Sequence, residues 1–443
     1  MTAESPAAIP NLDLEIALGE AEAAYLAANP RSVERHAAAQ AHMPGGNTRS
    51  VLHYAPLPLA IARGEGCRIW SLDGGEYIDL LGEYSAGLYG HSNPVIGAAI
   101  KRALDDGLVL GAPNLYEAKL AGELCRRFPC LERVRFCNSG SEADLMSLSL
   151  ARAVTGRDKI MAFHEAYHGG FLIFAHGGSP LNAPYPTVMG RYNDVEDTRA
   201  LIRGEAADLA AVIVEPMIGA GGCIPASQAF LEMLREETRA AGTVLVFDEV
   251  ITSRLSPGGL QAVTGVIPDL TALGKYLGGG LTFGAFGGRA DLMARFDPSR
   301  PDRFFHAGTF NNNVLTMAAG YTGLSEVLTP EALEALNARG DALRTALGER
   351  LAGHGVAACV TGRGSLLTLH FLAGPIERPE ALEAEDPLLK RLFHLDMLAR
   401  GIYLTPRGMM ALSLAIGETE IEHLLAAVDG FLDDYRSLLP RAG

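Results

Sequence analysis

Basic charge is scarce in this chain. Its 443 residues hold 37 Lys and Arg against 52 Asp and Glu, a formal net charge of −15. A surface of that sign repels phosphate backbones and anionic lipid headgroups, so neither nucleic acid nor membrane is expected as a partner. Cysteine is thin as well. Cys67, Cys125, Cys130, Cys137, Cys223 and Cys359 form no C-x-x-C pair and no metal-like spacing. They read as reduced thiols of a cytoplasmic protein, with neither a disulfide framework nor a metal site expected. No apolar run reaches the length of a membrane span. The N-terminal stretch carries Glu4, Asp13, Glu15 and Glu20 instead of a basic-then-apolar leader, so no secretory signal is expected. Internal repeats and low-complexity linkers are missing too. What remains, 48% hydrophobic and 20% charged, is a globular chain with material for two or three domains.

The texture changes along that chain. Residues 13–43, rich in Ala, Glu and Leu, read as helix up to the breakers Met43-Pro44-Gly45-Gly46. Residues 59–79 read as short strands turned at Gly64–Gly66 and at Asp73-Gly74-Gly75, the second a hairpin signal. From about 116, helical stretches near 116–128, 142–155 and 229–241 alternate with apolar runs at 134–136, 159–163, 209–214 and 243–247. Short runs that are apolar on both faces belong to a parallel sheet covered by helices. Beyond about 330, a helical region precedes one strand at 362–371 and a closing helix at 418–438. The expected fold is α/β: a mostly parallel central sheet in a large domain of residues 70–325. A smaller α+β domain is expected from both chain ends, residues 1–69 and 326–443.

Chemistry concentrates around Pro268-Asp-Leu-Thr-Ala-Leu-Gly-Lys275-Tyr-Leu-Gly278-Gly279-Gly280. Glycine lets backbone approach a ligand closely, and a lysine in apolar surroundings loses proton affinity and becomes a nucleophile towards carbonyls. In an open α/β sheet, ligands bind where strands end at their carboxyl edge. There the run 134–136 leads into Ser139-Gly140-Ser141-Glu142 and a helix. Ser139 and Glu142 have capping-box spacing, and the same helix start offers N–H groups and hydroxyls to a phosphate. Two further runs end in acids, at Glu215 and at Asp248-Glu249, and a carboxylate there needs a partner. Tyr167-His168-Gly169-Gly170 follows the run 159–163 and brings an aromatic ring to the same edge. An anion-binding helix end, a buried Asp, an aromatic plate and a reactive Lys describe a pyridoxal 5′-phosphate (PLP) site.

The segments Asn138-Ser-Gly-Ser-Glu-Ala143, Tyr167-His-Gly169, Val214-Glu-Pro-Met217, Phe247-Asp-Glu-Val250, Thr271–Gly280 and Gly308-Thr309-Phe310 carry a resemblance. In order and spacing they resemble the class III (ω-type) aminotransferases of fold type I. The resemblance implies that Lys275 is the Schiff-base lysine and Asp248 the partner of the pyridinium nitrogen. Tyr167 would stack on one face of the ring and Val250 pack on the other, with Glu215 among the cofactor contacts. Ser139, Gly140 and Ser141 would bind the phosphate, joined by Thr309 reaching across a homodimer with shared active sites. Within the class the chain looks closest to glutamate-1-semialdehyde aminomutases and β-amino-acid aminotransferases. Ile251-Thr-Ser-Arg254 stands where the aminomutases carry Thr-Gly-Phe-Arg, and Asn311-Asn312-Asn313 also departs from them. With Pro44-Gly-Gly-Asn-Thr-Arg49 and Tyr403-Leu-Thr-Pro-Arg407, these asparagines are similar to β-phenylalanine aminotransferases. There the matching arginines hold substrate carboxylates, and guanidinium forks suit that task. The implied activity moves the amino group of an aromatic β-amino acid to a 2-oxo acid such as 2-oxoglutarate. Its alternatives are glutamate-1-semialdehyde 2,1-aminomutase and a broad ω-amine transaminase.

Overall fold

A computed structural model describes residues 12–442; the acid Glu4, read above from the N-terminal stretch, lies outside the described residues. The central sheet has seven strands in the spatial order Arg133–Cys137, Gly284–Gly288, Leu270–Gly274, Val244–Asp248, Leu209–Val214, Lys159–Phe163, Thr187–Gly190. Four of its strand pairs are parallel; Gly284–Gly288 runs antiparallel to both neighbours. The three middle strands 209–214, 244–248 and 270–274 are buried along their whole length, as expected of strands covered on both faces. Helices Gly140–Thr155, Val195–Glu205 and Gln228–Ala241 provide much of that cover, and helices 140–155 and 228–241 each start at a serine that caps a free N–H.

Both chain ends share a second sheet. Strands Ile61–Glu65, Arg68–Ser71 and Glu76–Asp79 form a meander, and Ile402–Tyr403 adds parallel to 76–79. A third sheet joins Cys359–Arg363, Leu366–His370 and Met409–Ala411. Helix Pro330–Gly353 and the closing helix Glu418–Asp434 pack on this part of the molecule.

Three local expectations are corrected. The helix expected over 13–43 is two helices, Leu12–Ala28 and Pro30–Gln40, because Pro30 cannot continue the first and instead starts the second. The strand expected at 362–371 is a hairpin that turns at Gly364, whose φ of 53° favours glycine. The strand Gly284–Gly288, read Gly-Ala-Phe-Gly-Gly, gave no β signal. Its glycines are there because neighbours leave no room for side chains: a Cβ on Gly284 would lie 2.1 Å from the Ser139 carbonyl.

Arg254 ties these parts together. It is 1% exposed and donates to the carbonyls of Ser85 and Leu412 and to Ser365 Oγ, the first at 3.0 Å and the last at 3.1 Å. Burial pulls its pKa down to about 10. Replacing it strands buried acceptors and opens a cavity. We expect Arg254→Ala to lose about 3 kcal/mol or more of unfolding free energy, read by urea denaturation. A loss below about 1 kcal/mol would show that water satisfies those carbonyls equally well.

Candidate active site

The strands 133–137, 159–163, 209–214, 244–248 and 270–274 run in the same direction, so the residues that follow them meet at one edge of the sheet. Asp248, the last residue of its strand, is 4% exposed. Its carboxylate is held from two sides: the Val250 N–H donates to Oδ1 at 2.9 Å, and His168 Nδ1 lies 2.8 Å from Oδ2. The opposite ring nitrogen of His168, Nε2, is buried without a partner. Glu215 is 5% exposed and accepts from the Tyr167 N–H at 3.1 Å and the Gly219 N–H at 2.9 Å. Burial pushes its pKa up to about 7, against the pull of His168 and with Asp248 adding to the rise.

Lys275 follows strand 270–274 directly, in left-handed backbone at φ 55°. A non-glycine residue there is strained, which is common at functional positions. Its pKa is lowered, first by burial, while the charges of Asp248 and Glu215 oppose the fall. Lys275 is thus a partly desolvated amine whose charged form is favoured by two acids.

At the start of helix 140–155, Ser139 Oγ accepts from the Glu142 N–H at 3.2 Å. The Glu142 carboxylate reaches one residue further back than a capping box predicts, to the Asn138 N–H at 2.8 Å. Around this helix start the backbone is packed to its limit. A Cβ on Gly140 would sit 2.7 Å from a Val250 methyl, and one on Gly274 would sit 3.2 Å from another. Gly169, at φ 97°, would place a Cβ 2.0 Å from Ser141 Oγ, and the Gly170 N–H donates to that hydroxyl at 3.3 Å. Val250 therefore rests against Gly140 and Gly274, while Tyr167, 44% exposed, lies open to solvent.

Arg49 and Arg407 come together on one aromatic ring. Their guanidinium carbons lie 5.4 Å and 5.7 Å from the centre of Tyr84. The Tyr84 hydroxyl donates to the Val51 carbonyl at 2.6 Å. Glu83, Tyr84 and Ser85 all sit at positive φ, 49°, 53° and 78°, so this ring is carried on a strained turn. Arg49 also pairs with Glu83. Behind Arg407, the buried Lys390 ammonium donates to the Arg407 carbonyl at 2.6 Å and pairs with Glu385 at 3.0 Å. The charge of Arg407 acts on Lys275, and both arginines act on Tyr167. Thr309 is exposed, on the segment next to Asn311. Asn311 itself touches Asn138, at 3.0 Å.

Sequence reasoning passed over three groups. His168 stood inside a quoted motif without a role. Asp144, buried beside Asp248, looked like any polar helix residue two positions past Glu142. Lys390 carried no motif.

The donor set fits PLP. A buried carboxylate fixed by two partners suits a protonated ring nitrogen, and a helix start lined by serines suits a phosphate. Gly140 and Gly274 leave room only for the Val250 side chain, a flat apolar seat for a ring.

Comparison with known proteins agrees. A family model described as aminotransferase class-III matches residues 51–428. The chain is 49% identical over 429 residues to the β-phenylalanine transaminase of Variovorax paradoxus, covering 97% of this chain and 99% of that one. A solved β-phenylalanine aminotransferase structure from Variovorax paradoxus superimposes with a TM-score of 0.96 at 48% identity, over 97% of this chain and 100% of that one. A glutamate-1-semialdehyde 2,1-aminomutase from Desulforudis audaxviator is 37% identical over 425 residues, 92% of this chain and 98% of its own.

The crowding at Gly169 yields a test. Gly169→Ala must push Ser141 aside and hold alanine at an unfavourable φ. We expect PLP retention to fall about tenfold or more, a loss of about 1.4 kcal/mol, measured by equilibrium dialysis of the reconstituted apoprotein. Unchanged retention would show that Ser141 can shift without consequence.

Proposed function

The chain belongs to the class III aminotransferases, PLP-dependent enzymes of fold type I, and from that premise we propose which substrates it takes and what each site residue does. The amino donor is a β-amino acid with an aromatic side chain, β-phenylalanine being the model compound. The acceptor is a 2-oxo acid such as 2-oxoglutarate. One observation carries this reading: Arg49 and Arg407 flank a single tyrosine, Tyr84, on different segments of chain. Donor and acceptor place their carboxylates at different distances from the reacting carbon, and two guanidinium forks serve two geometries. The likeness to the β-phenylalanine transaminase supports it further.

In this reading Ser139, Gly140 and Ser141 hold the phosphate, and Thr309 serves the phosphate of a second subunit across a homodimer. Val109, Phe305 and Phe310 are 84%, 91% and 60% exposed, apolar surface that a second copy would cover. Asp248 keeps the proton on the ring nitrogen. Val250 and Tyr167 take the two ring faces, and Glu215 fixes the backbone at Tyr167. When bound, PLP supplies an electron-withdrawing ring and carries the amino group from donor to acceptor. The Lys275 amine, of reduced proton affinity, removes the proton from the amine-bearing carbon of the donor and returns one in the second half-reaction. Arg49 orients the β-amino acid carboxylate and Arg407 that of the 2-oxo acid.

We also propose that the two chain ends form one lobe around a PLP-binding lobe. The pairing of Glu76–Asp79 with Ile402–Tyr403 supports joining the two chain ends in one lobe. A cytoplasmic setting completes the reading. Among the described residues no helix is long and apolar enough to cross a membrane, and all six cysteines are free thiols.

Two experiments test these assignments. Lys275→Ala should abolish turnover while PLP still binds through Ser141, Gly140 and Asp248; retained transamination would end the assignment of Lys275. The arginines are separated by half-reactions. Arg49→Ala should raise KM for β-phenylalanine far more than for an aryl amine without a carboxylate, by roughly 2–4 kcal/mol, about thirty- to a thousandfold. Arg407→Ala should impair chiefly the 2-oxo acid half-reaction. Equal losses with both donors would remove the carboxylate role from Arg49. Turnover of glutamate 1-semialdehyde without an added 2-oxo acid would identify an aminomutase instead.

A further inference from the structure

Beneath Asp248 lies a second acid that no part of the reaction uses. Asp144, on helix 140–155, is 1% exposed, and its Oδ1 is buried without a hydrogen-bond partner. Asp144, His168 and Asp248 offer donor atoms that all lie within 4.8 Å of one another. Two carboxyls this close in a dry site cannot both ionise, and one proton is shared between them.

The donors decide where that proton rests. Asp248 has the Val250 N–H and His168 directed at its two oxygens. Asp144 Oδ1 has none. An anion is stabilised where donors converge, so the charge belongs on Asp248 and the proton on Asp144. The surroundings agree. Glu215, at the end of strand 209–214, and Asp248 both disfavour charge on Asp144; Lys275 favours it, and the helix start one turn away adds a weaker pull in the same sense. Burial comes first and, with the two acids, outweighs Lys275, so the Asp144 pKa stands well above the usual carboxyl range.

We propose that Asp144 is a positioning residue: it carries the shared proton and donates it as a hydrogen bond to Asp248, which stays ionised with its free lone pairs directed at the cofactor nitrogen. No bond is made or broken in this role, and the proton remains on Asp144. The proposal rests on the assignment of Asp248 as the partner of that nitrogen.

Infrared spectroscopy of the wild-type apoprotein and holoenzyme at neutral pH should show the carbonyl stretch of a buried protonated carboxyl. That band should vanish in Asp144→Asn. Asparagine keeps an N–H donor for Asp248, so PLP retention should stay within about threefold of wild type. Asp144→Leu keeps the volume but no donor, and retention should fall about tenfold, with a changed pH profile of the bound-cofactor spectrum. If the leucine variant fails to fold, the apoprotein of Asp144→Asn supplies an independent reading. An acid whose proton affinity is raised by folding contributes stability at low pH that is lost as pH rises above the unfolded carboxyl range, about 4. The asparagine variant lacks that loss, so its Tm should gain on wild type as pH rises from 5 to 8.

A missing carboxyl band overturns the proposal. So do equal losses in the asparagine and leucine variants, or Mn²⁺ bound by the wild-type apoprotein and not by Asp144→Asn, which would make the cluster a cation site. Asp248→Asn distinguishes the two levels. A normal rate and spectrum there would overturn the role of Asp248, whereas the infrared band and the Tm gap report on Asp144 alone.

Discussion

The site is organised by the cost of leaving a carboxylate at the end of a buried strand. Val244–Asp248 is buried along its whole length, and Asp248 cannot reach bulk water from its end. Such a charge is tolerated only when donors are brought to it. That demand explains several features at once. The chain turns sharply after Asp248 so that the Val250 N–H points back at Oδ1. The loop after strand 159–163 dips to deliver His168 to Oδ2, and in doing so brings Tyr167 to the same edge. Glu215 then pins that loop through the Tyr167 N–H. The lysine with lowered proton affinity sits on the next strand over, where Asp248 and Glu215 partly restore its charge. One buried acid is thus met by a histidine, with an aromatic ring and a lysine of lowered proton affinity at the same edge.

A second constraint is strain, and some of it falls on residues that bear on the site. Lys275, Glu83, Tyr84 and Ser85 are non-glycine residues in left-handed backbone. Each such position costs on the order of 1–3 kcal/mol and persists only where the surroundings over-determine it. Here those surroundings can be named. Ser85 is held through its carbonyl by the buried Arg254 guanidinium, and Tyr84 through its hydroxyl by Val51. Lys275 is clamped between strand 270–274 and a tight turn ending at Gly279, where a Cβ would lie 2.5 Å from the Ala319 backbone. These contacts keep the strained residues from relaxing into easier conformations.

Much of this was legible before any coordinates. The strands 159–163 and 209–214 have the predicted bounds, because a largely apolar run flanked by helical pattern admits few other readings. The acids at Glu215 and Asp248 stood out because charge at the end of such a run is improbable without a task. The strand Gly284–Gly288 was not legible. Its residues are chosen by backbone crowding from Ser139 and Arg133, and crowding leaves glycine, which reads as loop. Asp144 escaped notice for a related reason. A polar residue on a helix is ordinary until the helix is seen to turn that position onto Asp248. The pairing of Tyr84 with both arginines is equally a long-range fact, joining three segments far apart in the chain.

The two arginines differ in how firmly they are held, a difference that bears on the carboxylate roles proposed for them. Arg407 is anchored from behind: Lys390 holds its carbonyl, and the lysine in turn is fixed by Glu385 and by the Leu369 carbonyl at 2.9 Å. Its guanidinium is half-buried, rests on Met409 Sδ at 3.4 Å, and has a buried Nε without a partner. Arg49 instead pairs with Glu83 at the surface, with side chains 40% and 60% exposed. A pair that open contributes about 0–1 kcal/mol, since water and salt compete for both charges. Glu83 therefore orients Arg49 over Tyr84 without committing it. On the proposed role of Arg49, a substrate carboxylate that also covered the Tyr84 face would bring its own desolvation of the guanidinium and so strengthen its hold relative to the exposed glutamate. Shape at this side of the site is thus set by a fixed cation and an adjustable one sharing a rigid aromatic plate.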